Sequence, residues 1–397
     1  MKLAFVVQRY GLDIAGGAEY HCRLVAEHLS RHATVEVFTT CAADYVTWAN
    51  HYPEGTENLN GLPVHRFPVK RARDTVRFAR ASREVFESPR GEREELAWLE
   101  EEGPFSPRLV KEVEHRQLDF DHWVFFSYRY YTTFHGLKAA RDRALLVPTA
   151  EDDGVYKLSI FTSLFRLPRA IAWNSVEERA MIEAVAANGD VPGDVVGVGS
   201  ALPETIDGAA FRSAHGLEGP FVLYVGRIDE NKGCRELFSF FRRYREETGS
   251  SLRLVLIGKP ILPVPDDPGI VPFGFLPDAE KWNALAACEA LMMPSRYESL
   301  SMVTLEAWWA ERPVLANAKC AVLRGQCQRS NAGLYYSGYD EFREALATLE
   351  ADASLRRTLG ANGRRYFEQN YAWDVIERKY LALFDAARLS QRQEPSA

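Results

Sequence analysis

Two glutamates separated by seven residues dominate the chemistry that this sequence could perform. Glu298 lies in a polar turn after the apolar run 290–293, and Glu306 lies in a predicted helix that begins at about Ser301. The helix is apolar on nearly every side, which is typical of a buried helix. A carboxylate in such a helix is costly unless it is paired. Glu306 therefore either reaches a structural arginine, as an ion pair, or the rim of the helix, or it belongs to a binding site.

A second group of chemically capable side chains is basic. Arg227 and Lys232 follow the apolar residues of a predicted strand at 221–227, and a helix begins after them at Gly233. A guanidinium can bind phosphate oxygens through two parallel hydrogen bonds, and a nearby ammonium adds a compact positive charge. This pair is suited to a phosphorylated ligand.

The residues between the two glutamates add backbone donors. Ser299, Leu300 and Ser301 lie at the predicted N-terminus of the helix that carries Glu306. Backbone N–H groups at a helix N-terminus bind anions without bringing a counter-charge. The ionised carboxylates on either side accept hydrogen bonds from hydroxyl groups.

A glycine pair marks the first loop of the chain. Gly16 and Gly17 end a loop between a predicted strand at 3–7 and a helix from about residue 18. This layout brings backbone N–H groups towards an anion. Glycines also serve simple turns and close packing of a helix on a sheet, so both interpretations remain open.

Three acids, Glu151, Asp152 and Asp153, follow a predicted strand at 145–149. Open α/β sheets place their ligand sites just past the carboxyl ends of strands. The alternative is a solvated helix start, where acids suit the helix dipole. A divalent metal site here is poorly supported, because adjacent acids often point in different directions.

The elements that must position these residues alternate between strand and helix in both halves of the chain. Such alternation predicts parallel, doubly wound α/β sheets. The irregular, glycine- and proline-containing stretch 200–220 marks a domain boundary. We predict a first Rossmann-like domain over 1–203, a second over 204–372, and a final helix with a frayed tail over 373–397.

Two doubly wound domains in tandem predict a cleft between the carboxyl ends of their sheets. Arg227, Lys232, Glu298 and Glu306 would line one wall, and the Gly16 loop would face them. Cations for phosphate and carboxylates for hydroxyl groups together predict a diphosphate with a hydroxyl-rich group at each end. That ligand is a nucleotide sugar.

Two helix starts carry capping signals. Ser175 and Glu178 have the spacing of a capping box, in which each side chain bonds to the backbone of the other residue. Asp278 is expected to cap a helix that continues to about residue 287.

The composition of the chain argues against several classes of protein. A net charge of −7 over 397 residues argues against a nucleic-acid binder, which needs a basic surface. No apolar run approaches the length that spans a bilayer, and the six cysteines form no CxxC pair that would indicate zinc. We expect a cytoplasmic protein.

The region from Lys70 to Arg80 is locally basic. It could be an acceptor- or membrane-facing surface attracted to anionic lipids. The alternative is an ordinary solvated cluster of charges.

The ordered motifs of this chain resemble those of the family 4 glycosyltransferases, which are retaining enzymes of the GT-B fold. The matching segments are Gly16-Gly-Ala-Glu19, Gly226-Arg-Ile-Asp-Glu-Asn-Lys-Gly233, Leu256-Ile-Gly258, Gly274-Phe-Leu-Pro277 and Pro294-Ser-Arg-Tyr-Glu-Ser-Leu-Ser-Met-Val-Thr-Leu-Glu-Ala307. The last segment is the most specific, and the likeness covers nearly the whole chain.

The resemblance implies roles for individual residues. Arg227 and Lys232 would bind the donor diphosphate and stabilise the charge that develops as it leaves. Glu298 would hold hydroxyls of the transferred sugar, and Glu306 would hold the ribose. The donor-binding set would comprise Gly16, Gly17, Gly258, Leu276, Ser299, Leu300, Ser301 and Glu306, with Leu276 beside the base.

The same resemblance implies a mechanism. Attack on the front face of the sugar would retain the anomeric configuration, with the leaving phosphate accepting the acceptor's proton. No metal and no further cofactor would be required. The partners would be a nucleotide-diphosphate sugar and a small-molecule, glycan or lipid-linked acceptor, and the helix near Trp373 would cross back to the first domain.

One position departs from the family pattern. Relatives carry a histidine where this chain has Glu151 after the Pro148-Thr-Ala150 strand end. An imidazole can donate a hydrogen bond, whereas an ionised glutamate only accepts. Glu151, counted with the catalytic set, either selects a different sugar or an amine-bearing acceptor, or it reduces activity.

Other functions remain open from sequence. The same architecture could epimerise or hydrolyse a nucleotide sugar, or it could serve as a non-catalytic nucleotide-sugar-binding subunit. A dinucleotide-dependent oxidoreductase is disfavoured because no G-x-G-x-x-G follows the first strand.

Overall fold

The structure is a computed structural model that describes residues 1–14, 16–87 and 91–392. The chain divides into two compact units. Unit 1 comprises Met1–Val198 and Trp373–Ala397, and unit 2 comprises Gly199–Ala372. The sequence placed the first boundary after residue 203 and the second before residue 373. Of the tail predicted to fray, residues 393–397 lie outside the described residues.

Unit 1 contains one eight-stranded sheet with helices packed on it. Its elements in chain order are β1 (Lys2–Val6), α1 (Gly17–Leu29), β2 (Thr34–Thr40), β3 (Gly55–Leu59), β4 (Leu62–Phe67), α2 (Thr75–Glu87), α3 (Glu92–Glu102), α4 (Pro107–Arg116), β5 (His122–Phe126), α5 (Tyr131–Ala139), β6 (Ala144–Val147), α6 (Ser159–Leu164), β7 (Ala170–Trp173), α7 (Val176–Ala186) and β8 (Gly193–Val195). The final helix, α15 (Trp373–Arg392), also belongs to this unit.

The strand order of unit 1 is β3-β4-β2-β1-β5-β6-β7-β8, and every pair except β3–β4 is parallel. The central strands β1, β5 and β6 are buried except for Lys2 at the start of β1, as expected of a parallel sheet covered on both faces. The antiparallel edge strand β3 is mostly exposed, and its polar residues gave no strand signal in the sequence.

The final helix packs against β7, β8 and α1, so the predicted return of the chain to the first domain is confirmed. Its apolar face buries Ile376, Tyr380, Leu383, Phe384 and Ala387. Spacings of three and four residues place these side chains on one side of a helix.

Unit 2 contains a six-stranded sheet in which all pairs are parallel. Its elements are α8 (Gly208–Ala214), β9 (Phe221–Val225), α9 (Cys234–Thr248), β10 (Arg253–Ile257), β11 (Ile270–Gly274), α10 (Asp278–Ala287), β12 (Leu291–Met293), α11 (Met302–Trp309), β13 (Val314–Asn317), α12 (Ala321–Ser330), β14 (Gly333–Tyr336), α13 (Tyr339–Ala351) and α14 (Ala353–Asn370). The strand order is β11-β10-β9-β12-β13-β14, and the predicted α/β class is confirmed.

Two local predictions in unit 2 are wrong. The stretch 200–220 is not wholly irregular, because Asp207 accepts a hydrogen bond from the Ala210 N–H and caps α8. Asp278 does not cap α10: it is the first helical residue, and Pro277 precedes it with no capping side chain. Its carboxylate instead lies 3.4 Å from Lys281 Nζ.

The capping box at Ser175 is only half formed. Ser175 Oγ accepts a hydrogen bond from the Glu178 N–H at 3.1 Å. Glu178 does not return it to Ser175 but accepts from the N–H groups of Asn174 and Ala150, each at 2.6 Å. The second of these bonds joins α7 to the segment that precedes Glu151.

The basic region around Lys70 pairs mainly with acids on α3. Arg71 and Arg77 reach Glu101 at 2.9 and 2.5 Å, and Arg73 reaches Glu102 at 2.8 Å. These ion pairs favour a structural role for that part of the cluster over an uncompensated basic surface.

Within the described residues no helix is long and apolar enough to cross a membrane. The six cysteines are buried and form no disulfide.

Candidate functional site

The loop after β9 holds Arg227 and Lys232 through one shared acid. Asp229 accepts a hydrogen bond from Arg227 Nε through Oδ2, and its Oδ1 accepts from the Lys232 N–H at 2.8 Å. The Asp229 side chain is mostly buried, whereas that of Arg227 is 40% exposed. The loop is thus fixed from inside while the guanidinium remains accessible.

Lys232 connects this loop to the turn that carries Glu298. Its Nζ lies 2.8 Å from Glu298 Oε1, and it also donates to the Tyr297 carbonyl at 3.4 Å. Arg227, Asp229, Lys232 and Glu298 therefore form one chain of alternating charge. Residues from two distant stretches of the sequence meet at the carboxyl edge of the unit 2 sheet.

The turn between Pro294 and Ser301 is held by buried amides. Asn317 Nδ2 donates to the Pro294 carbonyl at 3.0 Å, and Gln326 Nε2 donates to the Leu300 carbonyl at 2.7 Å. Both amide side chains are fully buried. Their bonds fix the backbone at the two ends of the segment that contains Glu298 and Ser299.

Ser301 has a left-handed backbone, with φ at 69°, immediately before α11. A non-glycine residue in such a conformation carries a strain of roughly 1–3 kcal/mol and persists where the surroundings enforce it. Its hydroxyl is 2.9 Å from Thr304 Oγ1, inside the first turn of the helix. Strained residues of this kind concentrate at binding sites.

Glu306 forms an ion pair inside unit 2. Its Oε1 lies 2.8 Å from Lys281 Nζ on α10, and the Glu306 side chain is only 6% exposed. Burial raises the pKa of Glu306, while Lys281 opposes that shift. The sequence left a structural ion pair as one alternative, and such a pair is present; the ribose-binding role of Glu306 stays a prediction.

Gly258 lies where two strand ends touch. A Cβ atom there would lie 1.9 Å from the carbonyl oxygen of Gly226, and the φ of Gly258 is 146°. Backbone packing thus suffices to explain this glycine, and a contact with the donor stays a prediction. Leu276 lies in the exposed connection between β11 and α10, beside Phe275, which is 76% exposed.

In unit 1, Gly16 and Gly17 lie at the N-terminus of α1. Arg9 and Glu19 form a buried ion pair at 2.5 Å, and a Cβ atom on Gly16 would lie 2.0 Å from Glu19 Oε2. A side chain at Gly16 would therefore require the Glu19 carboxylate to shift. A Cβ atom on Gly17 would meet nothing within 4 Å, so crowding does not explain that glycine.

The acids after β6 point to different partners. Asp153 pairs with Arg129 at 2.8 Å, and Arg129 pairs in turn with Glu102 at 2.7 Å. Asp152 accepts from the Tyr156 hydroxyl at 3.1 Å, and Glu151 is half-buried. In the described part of the chain, no three or more His, Cys, Asp or Glu side chains are grouped to hold a metal ion.

Several residues of this arrangement gave little or no signal in the sequence. Asp229 could have been found, because an aspartate whose side chain bonds to a backbone N–H three residues on is a common loop motif. Lys281, Asn317 and Gln326 could not, since they reach partners 23 to 26 residues away along the chain.

Comparison with known proteins finds one family match, in the second half of the chain. Residues 207–366 match the family described as glycosyl transferases group 1. These residues are similar to a group 1 glycosyltransferase domain. This segment lies within unit 2 and contains Arg227, Lys232, Glu298 and Glu306, and it confirms the predicted resemblance to glycosyltransferases at the level of the family.

The curated relatives of this chain are distant in sequence. A D-inositol 3-phosphate glycosyltransferase from Nocardia farcinica is 27% identical over 276 residues, which is 64% of this chain and 60% of that protein. A trehalose synthase from Rubrobacter xylanophilus is 26% identical over 185 residues, or 42% of this chain and 44% of that protein. The chain thus spans roughly half the length of the curated relatives that it matches.

Solved structures share the fold over almost the whole chain. Sucrose-phosphate synthase from Thermosynechococcus elongatus superposes with a TM-score of 0.71 at 16% identity, covering 98% of this chain and 99% of that one. Anabaena HepE, solved in complex with UDP and glucose, gives a TM-score of 0.70 at 15% identity, covering 97% and 99%. The predicted GT-B fold is confirmed.

Proposed function

We propose that this protein is a metal-independent, retaining glycosyltransferase that moves a sugar from a nucleotide-diphosphate sugar to a hydroxyl or amine acceptor. The observation that carries the proposal is the charged chain Arg227–Asp229–Lys232–Glu298 within the segment that matches the group 1 glycosyltransferases. It combines cations suited to phosphate with a carboxylate suited to hydroxyl groups.

The reaction that this set could promote begins with departure of the nucleoside diphosphate. The bond between the anomeric carbon and the phosphate oxygen would break, and negative charge would collect on the phosphate. Arg227 and Lys232 are positioned by Asp229 before the reaction, so their charges would stabilise the leaving group without reorganisation. The acceptor oxygen or nitrogen would bond to the anomeric carbon, and its proton would pass to the leaving phosphate.

Ligand binding would change the partner of Lys232. In the structure its ammonium bonds to Glu298. A diphosphate at Lys232 and sugar hydroxyls at Glu298 would each compete for that contact. Without a ligand, the charges of Lys232 and Glu298 would neutralise each other. With the donor bound, Lys232 would contact its phosphate and Glu298 would contact its sugar.

The donor and acceptor are proposed only as chemical classes. The Anabaena protein was solved with UDP and with UDP-glucose, which makes uridine nucleotides the first donors to test. Surface polysaccharide, glycolipid or specialised-metabolite assembly in the cytoplasm, with peripheral membrane contact, is the proposed setting. The ion pairs of Arg71, Arg73 and Arg77 weigh against that part of the basic region as the membrane-facing surface.

The direct test removes the exposed guanidinium. We expect Arg227→Ala to reduce sugar transfer about tenfold to more than a hundredfold, since a lost hydrogen bond to a charged group is worth roughly 1.5–3 kcal/mol. Product formation from UDP-glucose and related donors would be followed by mass spectrometry across an acceptor panel. Arg243→Ala is the matched control, because Arg243 is in an exposed helix pair with Glu247.

If Arg227→Ala transfers sugar at the rate of the Arg243→Ala control, the proposed role of Arg227 is wrong.

Two other functions are distinguished from glycosyl transfer by additional measurements. Proton NMR of the donor without acceptor would reveal an epimerase or hydrolase. Tight nucleoside-diphosphate binding in calorimetry without turnover would indicate a binding subunit, the outcome that Glu151 in place of the family histidine keeps open.

A further inference from the structure

The acid proposed to hold the ribose is the most buried carboxylate of the proposed donor site. Glu306 lies on α11, which packs against α10, α14, β12 and β13. The segments of β12 and β13 carry no charged residue. On α14, Arg364 Nη1 donates a hydrogen bond to the Trp309 carbonyl at 2.7 Å. The charged groups that interact with Glu306 come from α10: Lys281 at 2.8 Å, and Asp278 through its electrostatic effect.

Lys281 is itself well placed to act as a fixed counter-ion. Its side chain is only 15% exposed, and its ammonium lies between Glu306 and Asp278, at 2.8 and 3.4 Å. The helix that carries it begins immediately after Leu276 and Pro277, the segment expected beside the base. A buried lysine that loses its partner, or a buried carboxylate that loses its cation, is strongly disfavoured.

We propose that Lys281 is a positioning residue of the donor site, whose ammonium keeps Glu306 ionised and orients its carboxylate to accept the paired ribose hydroxyls of a nucleoside diphosphate. The inference rests on the proposed function. It adds a residue outside the two-glutamate motif, and it assigns the ion pair a role in recognition besides its role in packing.

The reason for this role is the change in hydrogen-bonding capacity on protonation. An ionised carboxylate accepts at both oxygens, whereas a protonated one carries a hydroxyl donor. Burial raises the pKa of Glu306, and the interaction with Lys281 lowers it. Without the ammonium, Glu306 would take up a proton at a higher pH and present a donor to ribose hydroxyls.

The experiment measures nucleotide affinity as a function of pH. UDP, GDP, ADP, CDP and dTDP are titrated into the full chain by calorimetry, and the tightest binder is carried forward between about pH 6 and pH 9. The variants are Lys281→Met, Lys281→Gln and Lys281→Arg, with Arg243→Met as a control that removes an exposed cation on α9. Phosphate titration is common to all the proteins and cancels in the ratio of variant to wild-type affinity.

We expect Lys281→Met and Lys281→Gln to bind more weakly than wild type at the acidic end and to recover as pH rises. At a pH below the pKa of Glu306 in the variant, each unit by which the substitution raises that pKa should weaken nucleotide binding about tenfold. Lys281→Arg keeps the charge and should restore an affinity ratio that does not change with pH. Combining Lys281→Met with Glu306→Gln should abolish the pH dependence, because the group that titrates is gone.

Other outcomes overturn the inference. An affinity ratio for Lys281→Met that is constant with pH would indicate a packing role alone, and wild-type behaviour of Lys281→Gln would indicate a hydrogen bond without need of charge. If Lys281→Met does not fold, Lys281→Gln, which retains a donor and similar length, provides the same test. If the wild-type protein binds none of the five nucleotides, the proposed function itself is rejected. If wild type binds and only the Lys281 variants behave unexpectedly, the role of Lys281 alone is rejected.

Discussion

At the scale of single residues, several glycines of this chain are determined by close packing. Gly258 and Gly226 lie at the ends of neighbouring strands, with φ values of 146° and 147°. Gly233 is equally constrained, since a Cβ atom there would lie 2.2 Å from the Pro294 carbonyl oxygen. These contacts bring the loop of Arg227 and Lys232 against the turn of Glu298, so the glycines serve the proposed site through its backbone.

Replacing Gly258 tests this point. We expect Gly258→Ala to lower the free energy of unfolding by about 3 kcal/mol, because the added methyl group would collide with backbone that cannot easily move. Gly274→Ala is the matched control: its φ is 69° but a Cβ atom would meet nothing within 4 Å. It should cost roughly 1–2 kcal/mol, from the left-handed conformation alone.

Urea unfolding monitored by circular dichroism measures both variants. Equal losses for Gly258→Ala and Gly274→Ala would show that conformation, and not the contact with Gly226, constrains Gly258.

At the scale of elements, Glu178 joins the start of α7 to the segment after β6. Its carboxylate oxygens accept the N–H groups of Asn174 and Ala150. The side chain is buried, and this burial raises its pKa from 4.5 to about 8, against the effect of the two backbone bonds. One buried acid thereby fixes the backbone next to Glu151, a residue predicted to belong to the catalytic set.

This raised pKa gives a prediction for stability against pH. Between about pH 4.5 and pH 8 the folded state holds a proton on Glu178 that the unfolded state has released, so this group's contribution to stability falls as pH rises. Glu178→Gln cannot titrate. The unfolding free energy of the variant relative to wild type should therefore rise with pH across this window, by at most about 1.4 kcal/mol per pH unit.

Chemical denaturation at several pH values provides the measurement. Glu183→Gln, which changes a more exposed acid of the same helix, is the control and should show no comparable trend. A wild-type-to-variant difference that is constant from pH 5 to pH 8 would mean that Glu178 is already ionised in the folded protein.

At the scale of the whole molecule, unit 1 is assembled from both ends of the chain. The final helix α15 returns to it after the 174 residues of unit 2, Gly199–Ala372. Trp373 stacks on His28 with ring centroids 3.5 Å apart, and Glu377 lies 2.9 and 2.7 Å from ring nitrogens of His28 and His32. Further along, Phe384 stacks on His122 at 5.2 Å.

Unit 1 should therefore depend on the last helix for its stability. We expect Phe384→Ala to lower the free energy of unfolding of unit 1 by about 3–5 kcal/mol, the range for removing a buried phenylalanine side chain. Leu389→Ala on the same helix is the control and should have little effect, since Leu389 is 59% exposed. Hydrogen exchange with mass spectrometry would locate the loss.

Increased exchange in the strands of unit 1, with unit 2 unchanged, is the expected pattern for Phe384→Ala. Equal protection of unit 1 in both variants would show that the helix contributes little to its core.

The parts of the fold that followed from sequence are those with strong local patterns. The strands β2 and β7 coincide with short runs rich in apolar residues, Thr34–Thr40 and Ala170–Trp173, which is the pattern of buried strands. The sequence did not predict the edge strand β3 or the helix α8, since the first is polar and the second is short and begins in a glycine-rich stretch. The half-formed capping box shows the same limit, because Ala150 competes for Glu178 from 28 residues away.

The sequence alone determined the alternation of strands and helices and the two-unit α/β organisation, and it proposed the residues that would bind a diphosphate and hydroxyl groups, because these depend on residue type and local order. Only the tertiary structure decided which charged residues form ion pairs with each other. It joined Lys232 to Glu298 across 66 residues and Glu306 to Lys281 across 25, where no local pattern links the partners. Glu306, which the sequence assigned either to an ion pair or to a ligand site, lies in an ion pair, and its proposed role in recognition would depend on the charge of Lys281.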